Sequence, residues 1–212
     1  MASDVFIYWD NSNIFHSAQE VASERNGESD SYYRLRIDFR NLYKLASADR
    51  PVKKAIAAGS IPPAMTALWN VLEGQGIKVD LFQRGGDNPS EQEVPDERLQ
   101  LAMLRDVLDN RDNPGTIVLL TGDGRGYDEG RGFFRTIEDI DSLDMGWDIE
   151  LLSWEHTCHQ RMKDWVEEHG TFISLDDYYE SVTFLERNDD DPYNLKLRDR
   201  ASKLDLTARP LR

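Results

Sequence analysis

At 212 residues the chain has room for one full α/β domain and little beyond it. A net charge of −15 and a pI near 4.6 exclude a protein that coats polyanions with broad positive charge, and 39% hydrophobic with 10% aromatic residues excludes wholesale disorder. One cysteine excludes an intramolecular disulfide framework and favours a reducing compartment. No apolar run approaches the roughly 18 residues of a membrane span, and Met1-Ala2-Ser3-Asp4 leads straight into an apolar strand without a basic, cleavable leader. A cytoplasmic protein with no membrane partner is expected.

Short apolar runs alternate with longer amphipathic segments along the chain, the pattern of a parallel sheet covered by helices. Val5-Phe6-Ile7-Tyr8-Trp9 is apolar throughout, as a strand buried on both faces requires, and it stops at Asp10-Asn11-Ser12-Asn13. A helix is expected over 14–23, a loop over 24–31, and a helix capped by Asp38 that carries Phe39, Leu42, Tyr43 and Leu45. The second strand spans 52–58. Pro62-Pro63 opens a helix over 64–73, Gly74 and Gly76 end it, and the third strand spans 77–82. The Gly/Pro/Asn-rich loop 84–95 is long enough to suggest a role. From Asp96 to Asn110 a helix is expected, with Leu99, Met103, Val107, Leu101, Leu104 and Leu108 as its apolar stripe.

Strand 116–121 runs into Gly122-Asp123-Gly124-Arg125-Gly126-Tyr127-Asp128. A helix over 133–143, a strand over 147–153, a helix over 155–169, an edge strand at 171–173 and a docked helix or turn over 176–185 complete the alternation. The fold class predicted is α/β, a three-layer sandwich with a mostly parallel central sheet. The domain spans 1–186, and 187–212 reads as a tail. Within 194–212, six Lys/Arg against two Asp give +4, which leaves −15 − 4 = −19 for the rest. Such a tail either reaches nucleic acid or folds back on its own domain.

In open parallel sheets ligands bind just beyond the carboxyl ends of the strands. Asp10 and Asp123 each follow an all-apolar strand, and Asp96 opens the helix after the long loop. Carboxylates gathered at one edge repel one another unless a hard divalent cation lies between them. Mg²⁺ or Mn²⁺ meets that need, and phosphate-ester chemistry is what such clusters usually serve. Singly, each aspartate has a plainer reading as a helix cap or turn residue; jointly, the site reading prevails.

Asp10-Asn11-Ser12-Asn13 after an apolar strand, Asp96-Glu97 opening an amphipathic helix and Thr121-Gly122-Asp123 after another strand resemble the NYN domains. These are predicted metal-dependent ribonucleases related to the PIN and flap-endonuclease group. The resemblance runs from Val5 to about Leu185 and takes in Gly59-Ser60-Ile61-Pro62-Pro63. It implies a PIN-like fold, RNA as substrate, Asp10, Asp96 and Asp123 as metal positions, and Asn11 or Asn13 as an amide orienting a ligand or the scissile phosphate. One position departs from the pattern. Where the family commonly has an acid two places after the Gly-Asp aspartate, this chain has Arg125. Asp128 or Glu129 is then the expected fourth carboxylate, and Arg125, with Arg98 and Arg131, the expected grip on RNA phosphates. Arg84 and Arg135 fall beside the same segments.

Two other classes compete. One is an RNA-binding or partner-binding module of the same fold that has lost catalysis. The other is a phosphatase of the haloacid-dehalogenase type, which Gly122-Asp123-Gly124 faintly resembles but which needs an acid where Ser12 stands. A second copy of the chain or another protein remains open as a partner. His156 and His159 lack the further ligands of a closed zinc site, so a partly buried helix face is the preferred reading there. Cys158 has little support as a nucleophile, and Tyr32-Tyr33 and Tyr178-Tyr179 fit core and rim packing better than base stacking.

Overall fold

A computed structural model describes residues 3–24, 27–29, 32–58, 70, 73, 78–82, 94–122, 124, 127–186, 198–201 and 203–211. The elements in chain order are β1 (Val5–Asp10), α1 (Asn11–Glu24), β2 (Leu35–Ile37), α2 (Phe39–Ser47), β3 (Val52–Ala58), β4 (Lys78–Phe82), α3 (Val94–Asp109), β5 (Thr116–Leu120), α4 (Gly132–Ser142), β6 (Asp148–Ser153), α5 (Gln160–His169), β7 (Thr171–Ser174), α6 (Tyr179–Val182) and β8 (Thr183–Leu185). Six strands form one sheet in the order β4-β3-β1-β5-β6-β7, every neighbouring pair parallel. β2 and β8 pair separately and antiparallel.

The unbroken apolar run of β1 has a direct cause. Because side chains alternate along a strand, Val5, Ile7 and Trp9 enter one core with α1 and α2, while Phe6 and Tyr8 enter the other with α3, α4 and α5. Three layers result, and both faces of β1 are dry. Asp38 caps α2 as its position suggests, accepting from the N–H groups of Arg40 and Asn41.

Several expectations are corrected. Helix α1 starts at Asn11 rather than residue 14, because Asp10 Oδ1 accepts the Asn13 N–H at 3.1 Å and so closes the first turn. Helix α5 starts at Gln160 rather than residue 155: the His159 N–H reaches out to the Gly122 carbonyl at 3.0 Å, which holds the preceding residues in a turn. On α3, Leu99, Met103 and Val107 are buried, but Leu101 and Leu108 are 49% and 51% exposed, since a helix turns them away from that row. Residues 183–185 are a strand, paired with a β2 too short to show periodicity. The expected helix over 64–73 and loop 84–95, Arg84 included, lie almost wholly outside the described residues.

Residues 198–201 and 203–211 lie against the body. Arg198 donates to the Thr183 carbonyl at 2.7 Å and pairs with Glu28 at 3.3 Å. Arg209, 5% exposed, donates to the Leu45 carbonyl at 2.7 Å and to Glu150 at 2.6 Å. Of the two fates open to the basic terminal stretch, these residues take the inward one.

Candidate active site

The strand order places the site. The chain leaves β1 for β3 and β4 on one side, then returns to β5, β6 and β7 on the other. Connections after β1 and β5 therefore diverge, and a crevice opens beyond their carboxyl ends. Asp10 ends β1 there, 3% exposed. Its Oδ1 accepts the Asn13 N–H, and its Oδ2 accepts the Thr121 hydroxyl at 3.2 Å. The cap reading of Asp10 is thus real, and it occupies one carboxylate oxygen while Thr121 ties the other to the end of β5.

Gly122 gathers the surrounding elements. Its N–H donates to Asn13 Oδ1 at 2.7 Å and its carbonyl accepts from His159 at 3.0 Å, which joins the starts of α1 and α5 to the end of β5. A Cβ at Gly122 would come within 2.7 Å of Ser153 Oγ, and one at Gly124 would overlap the His159 ring. Only glycine fits this close approach. Asp123 and Arg125 lie outside the described residues, while Gly122 and Gly124 on either side of Asp123 are both buried.

Beside Gly122 and Gly124 opens a cleft of about 690 Å³, with Asn13, Ser17 and Glu20 on one wall and Tyr127, Asp128, Glu129, Thr157, His159 and Arg161 around the rest. Asp128, on the single turn 127–129, is 93% exposed and lies 3.7 Å from Arg161. Asn13 lines the cleft, whereas Asn11 is 5% exposed and outside its lining.

Asp96 sits in the first turn of α3, half-buried. A helix joining two parallel strands must begin at the carboxyl edge and return. The direction agrees: Asp106 of α3 contacts Lys54, near the start of β3, at 2.7 Å, and Asp96 lies about 15 Å up the helix from it at 1.5 Å per residue. Asp96 therefore shares an edge with Asp10 but does not line the cleft. Arg98 is exposed on α3, and Arg131 is exposed with its guanidinium 3.6 Å from Glu129; neither lines the cleft. Among the described residues the arginine that does is Arg161, which the sequence reading did not include. The available signal was position: Arg161 follows the strand next to β5, at the start of a helix whose first residues must face the same edge.

The groups around Asp10 (its carboxylate, the Asn13 amide, the Thr121 hydroxyl) offer oxygen, which suits Mg²⁺ or Mn²⁺, while the His159 imidazole also lines the cleft. A second group was not foreseen: ligand atoms of Glu20, Glu24 and His156 lie within 4.8 Å of one another, all three side chains exposed. Glu24 and His156 already pair at 3.0 Å, and an exposed ion pair accounts for that geometry. Cys158 is 8% exposed, and burial pushes its thiol pKa up, which opposes a nucleophilic thiolate. Tyr178 and Tyr179 are core residues, while Tyr32 and Tyr33 are exposed. Among the described residues no helix is long and apolar enough to cross a membrane.

Residues 4–175 match the family model of the NYN domain. No curated protein matches the chain.

Proposed function

The chain belongs to the NYN domain family, a group with a PIN-like nuclease fold, and from that premise we propose that it hydrolyses RNA phosphodiester bonds with Mg²⁺ or Mn²⁺ at the carboxyl edge of its sheet. The observation that carries the reading is Asp10, buried at the topological switch point and bonded to Thr121 and to Asn13, a residue that lines the open cleft. Asp10 and Asp123 are the principal ligands in this reading, with Asp96 at the same edge and Asp128 as the fourth carboxylate.

A divalent ion held there supplies Lewis-acid stabilisation of the phosphoryl oxygens and lowers the pKa of water for attack. The residues of the chain do the rest. Thr121 and the Asn13 N–H fix the Asp10 carboxylate in one orientation, so no reorganisation is needed when charge develops. Asn13 bridges to Gly122 through its oxygen, leaving its amide N–H₂ as donor for a ligand or the phosphate. Arg125, Arg98 and Arg131 are proposed to steady the RNA backbone. As water adds to phosphorus, the bond to the leaving ribose oxygen breaks and that oxygen takes a proton from solvent.

Purified protein with Mn²⁺ should cleave RNA, and EDTA should abolish cleavage. Asp10→Asn or Asp123→Asn should reduce the rate by about a hundredfold or more, since each weakens both metal binding and water activation. Asp128→Asn should match Asp123→Asn if it completes the carboxylate set. Binding of RNA without cleavage by the wild type would move the non-catalytic module ahead. Release of phosphate from small monoesters would favour the phosphatase.

A further inference from the structure

Three side chains from three segments form a column, two of whose members, Tyr127 and Arg161, line the cleft. The rings of Phe134 and Tyr127 stack at 4.3 Å with 20° between their planes, and the Arg161 guanidinium carbon lies over the Tyr127 ring at 4.3 Å. Each neighbour needs the full van der Waals thickness of the ring, so the two occupy opposite faces. The order is Phe134, Tyr127, Arg161. Phe134 is 1% exposed and belongs to the core; the Arg161 side chain is 61% exposed. The column thus runs from the core into the cleft and ends in a flat cation.

That end is pre-organised. The Tyr127 hydroxyl donates to Glu138 at 2.8 Å, which raises its pKa and pins the ring. Arg161 lies 3.7 Å from Asp128, which is 93% exposed; so long and wet a pair contributes little. The Tyr127 ring, then, holds the guanidinium, through its face and through a long N–H bond to its hydroxyl at 3.5 Å, and Arg161 lines the cleft.

We infer that Arg161 is a stacking platform for an unpaired nucleobase of the bound RNA; this rests on the RNA reading above. A guanidinium plane is used by a base whose π-face is free, and only unstacked bases offer one. Glu20, Asp128 and Glu129 share the cleft with Arg161, so its described walls repel a duplex backbone more than they attract it. A base face is neutral and meets no such penalty.

The test is fluorescence anisotropy of wild type, Arg161→Ala, Arg161→Lys and Tyr127→Leu in EDTA, with a short single-stranded oligoadenylate and a blunt RNA duplex as probes. All three variants should weaken single-strand binding roughly tenfold and leave duplex binding unchanged. Lysine fails because it keeps the charge and loses the plane; leucine fails because it removes the support under the guanidinium. Thermal melting of Arg161→Ala should match wild type, since the side chain is mostly exposed. Wild-type affinity in Arg161→Lys, an equal loss on the duplex, or no single-strand binding by the wild type would overturn the inference. Separate cleavage assays in Mn²⁺ keep the two readings distinguishable. Tight single-strand binding that depends on Arg161, with no cleavage, defeats the nuclease alone; cleavage with binding indifferent to Arg161 defeats the platform alone.

Discussion

Two buried carboxylates in one sheet have opposite surroundings. Glu150, in β6, is 0% exposed and enclosed by cations: Arg50 donates to both its oxygens at 2.8 and 2.7 Å, and Arg209 donates at 2.6 Å. Asp10, at the end of β1, takes a backbone N–H and a hydroxyl; it does not itself line the cleft, but the Asn13 it bonds to does. The first is a lock, joining β6 to the exit of α2 and to the terminal residues around Arg209. The second stands where two connections diverge, next to a residue of the cleft wall. Burial is common to both acids; place in the sheet and partners separate them, and the proposed role of Asp10 rests on that place.

The contrast can be broken from either side. Glu150→Gln leaves two arginines in a dry interior with their counter-charge gone, and removing one member of such a buried cluster costs about 3–5 kcal/mol. Urea unfolding should register that loss, while the folded fraction keeps its wild-type rate of RNA cleavage. Asp10→Asn should do the reverse, shifting stability by less than about 1 kcal/mol while the rate collapses. A Glu150 variant as stable as wild type would remove the lock from the account.

Gly124→Ala sharpens the site side. Its Cβ would overlap the His159 ring, so Gly124 or His159 must shift at the cleft wall. Strain of this kind costs about 1–3 kcal/mol, and a misplaced ligand should lower cleavage by roughly tenfold. Unchanged kinetics would show that the close approach of Gly124 to His159 does not set the geometry at position 123.

The smallest effect is alkaline. Burial pushes the Tyr43 phenol from its ordinary 10.0 to about 12, and burial followed by the neighbouring Asp106 carboxylate raises Tyr8 well above the ordinary value. Both folded values lie above the unfolded one, so the fold favours the neutral phenols. Their contribution is complete below about pH 10 and is lost as pH rises through the folded values. Stability measured by urea titration should therefore decline above pH 10, and Tyr43→Phe should make that decline shallower. An identical slope in the variant would contradict the assignment.

Much of the architecture was legible because local and global signals agree. The all-apolar run of β1 could only be a central strand, the Asp38 cap and the Val52–Ala58 strand stand where the pattern put them, and the parallel three-layer arrangement followed from alternation. What escaped was set by tertiary contact. The turn before α5 exists because His159 bonds to Gly122, thirty-seven residues away, which no local pattern encodes. The exposure of Leu101 and Leu108 depends on which row of α3 meets the sheet. The place of Asp10 at the end of a buried strand was readable from the apolar run before it. Arg161 was not, because it enters the cleft through the strand order rather than through a motif.

In the proposed function a divalent ion binds at the Asp10 edge and not at the exposed Glu20, Glu24 and His156 group. Calorimetric titration of Mn²⁺ into wild type, Asp10→Asn and the double variant Glu20→Gln/His156→Ala separates the two. The account predicts that Asp10→Asn loses about tenfold to a hundredfold in affinity while the double variant binds as wild type does. Full affinity in Asp10→Asn, with loss of binding in the double variant, would contradict it.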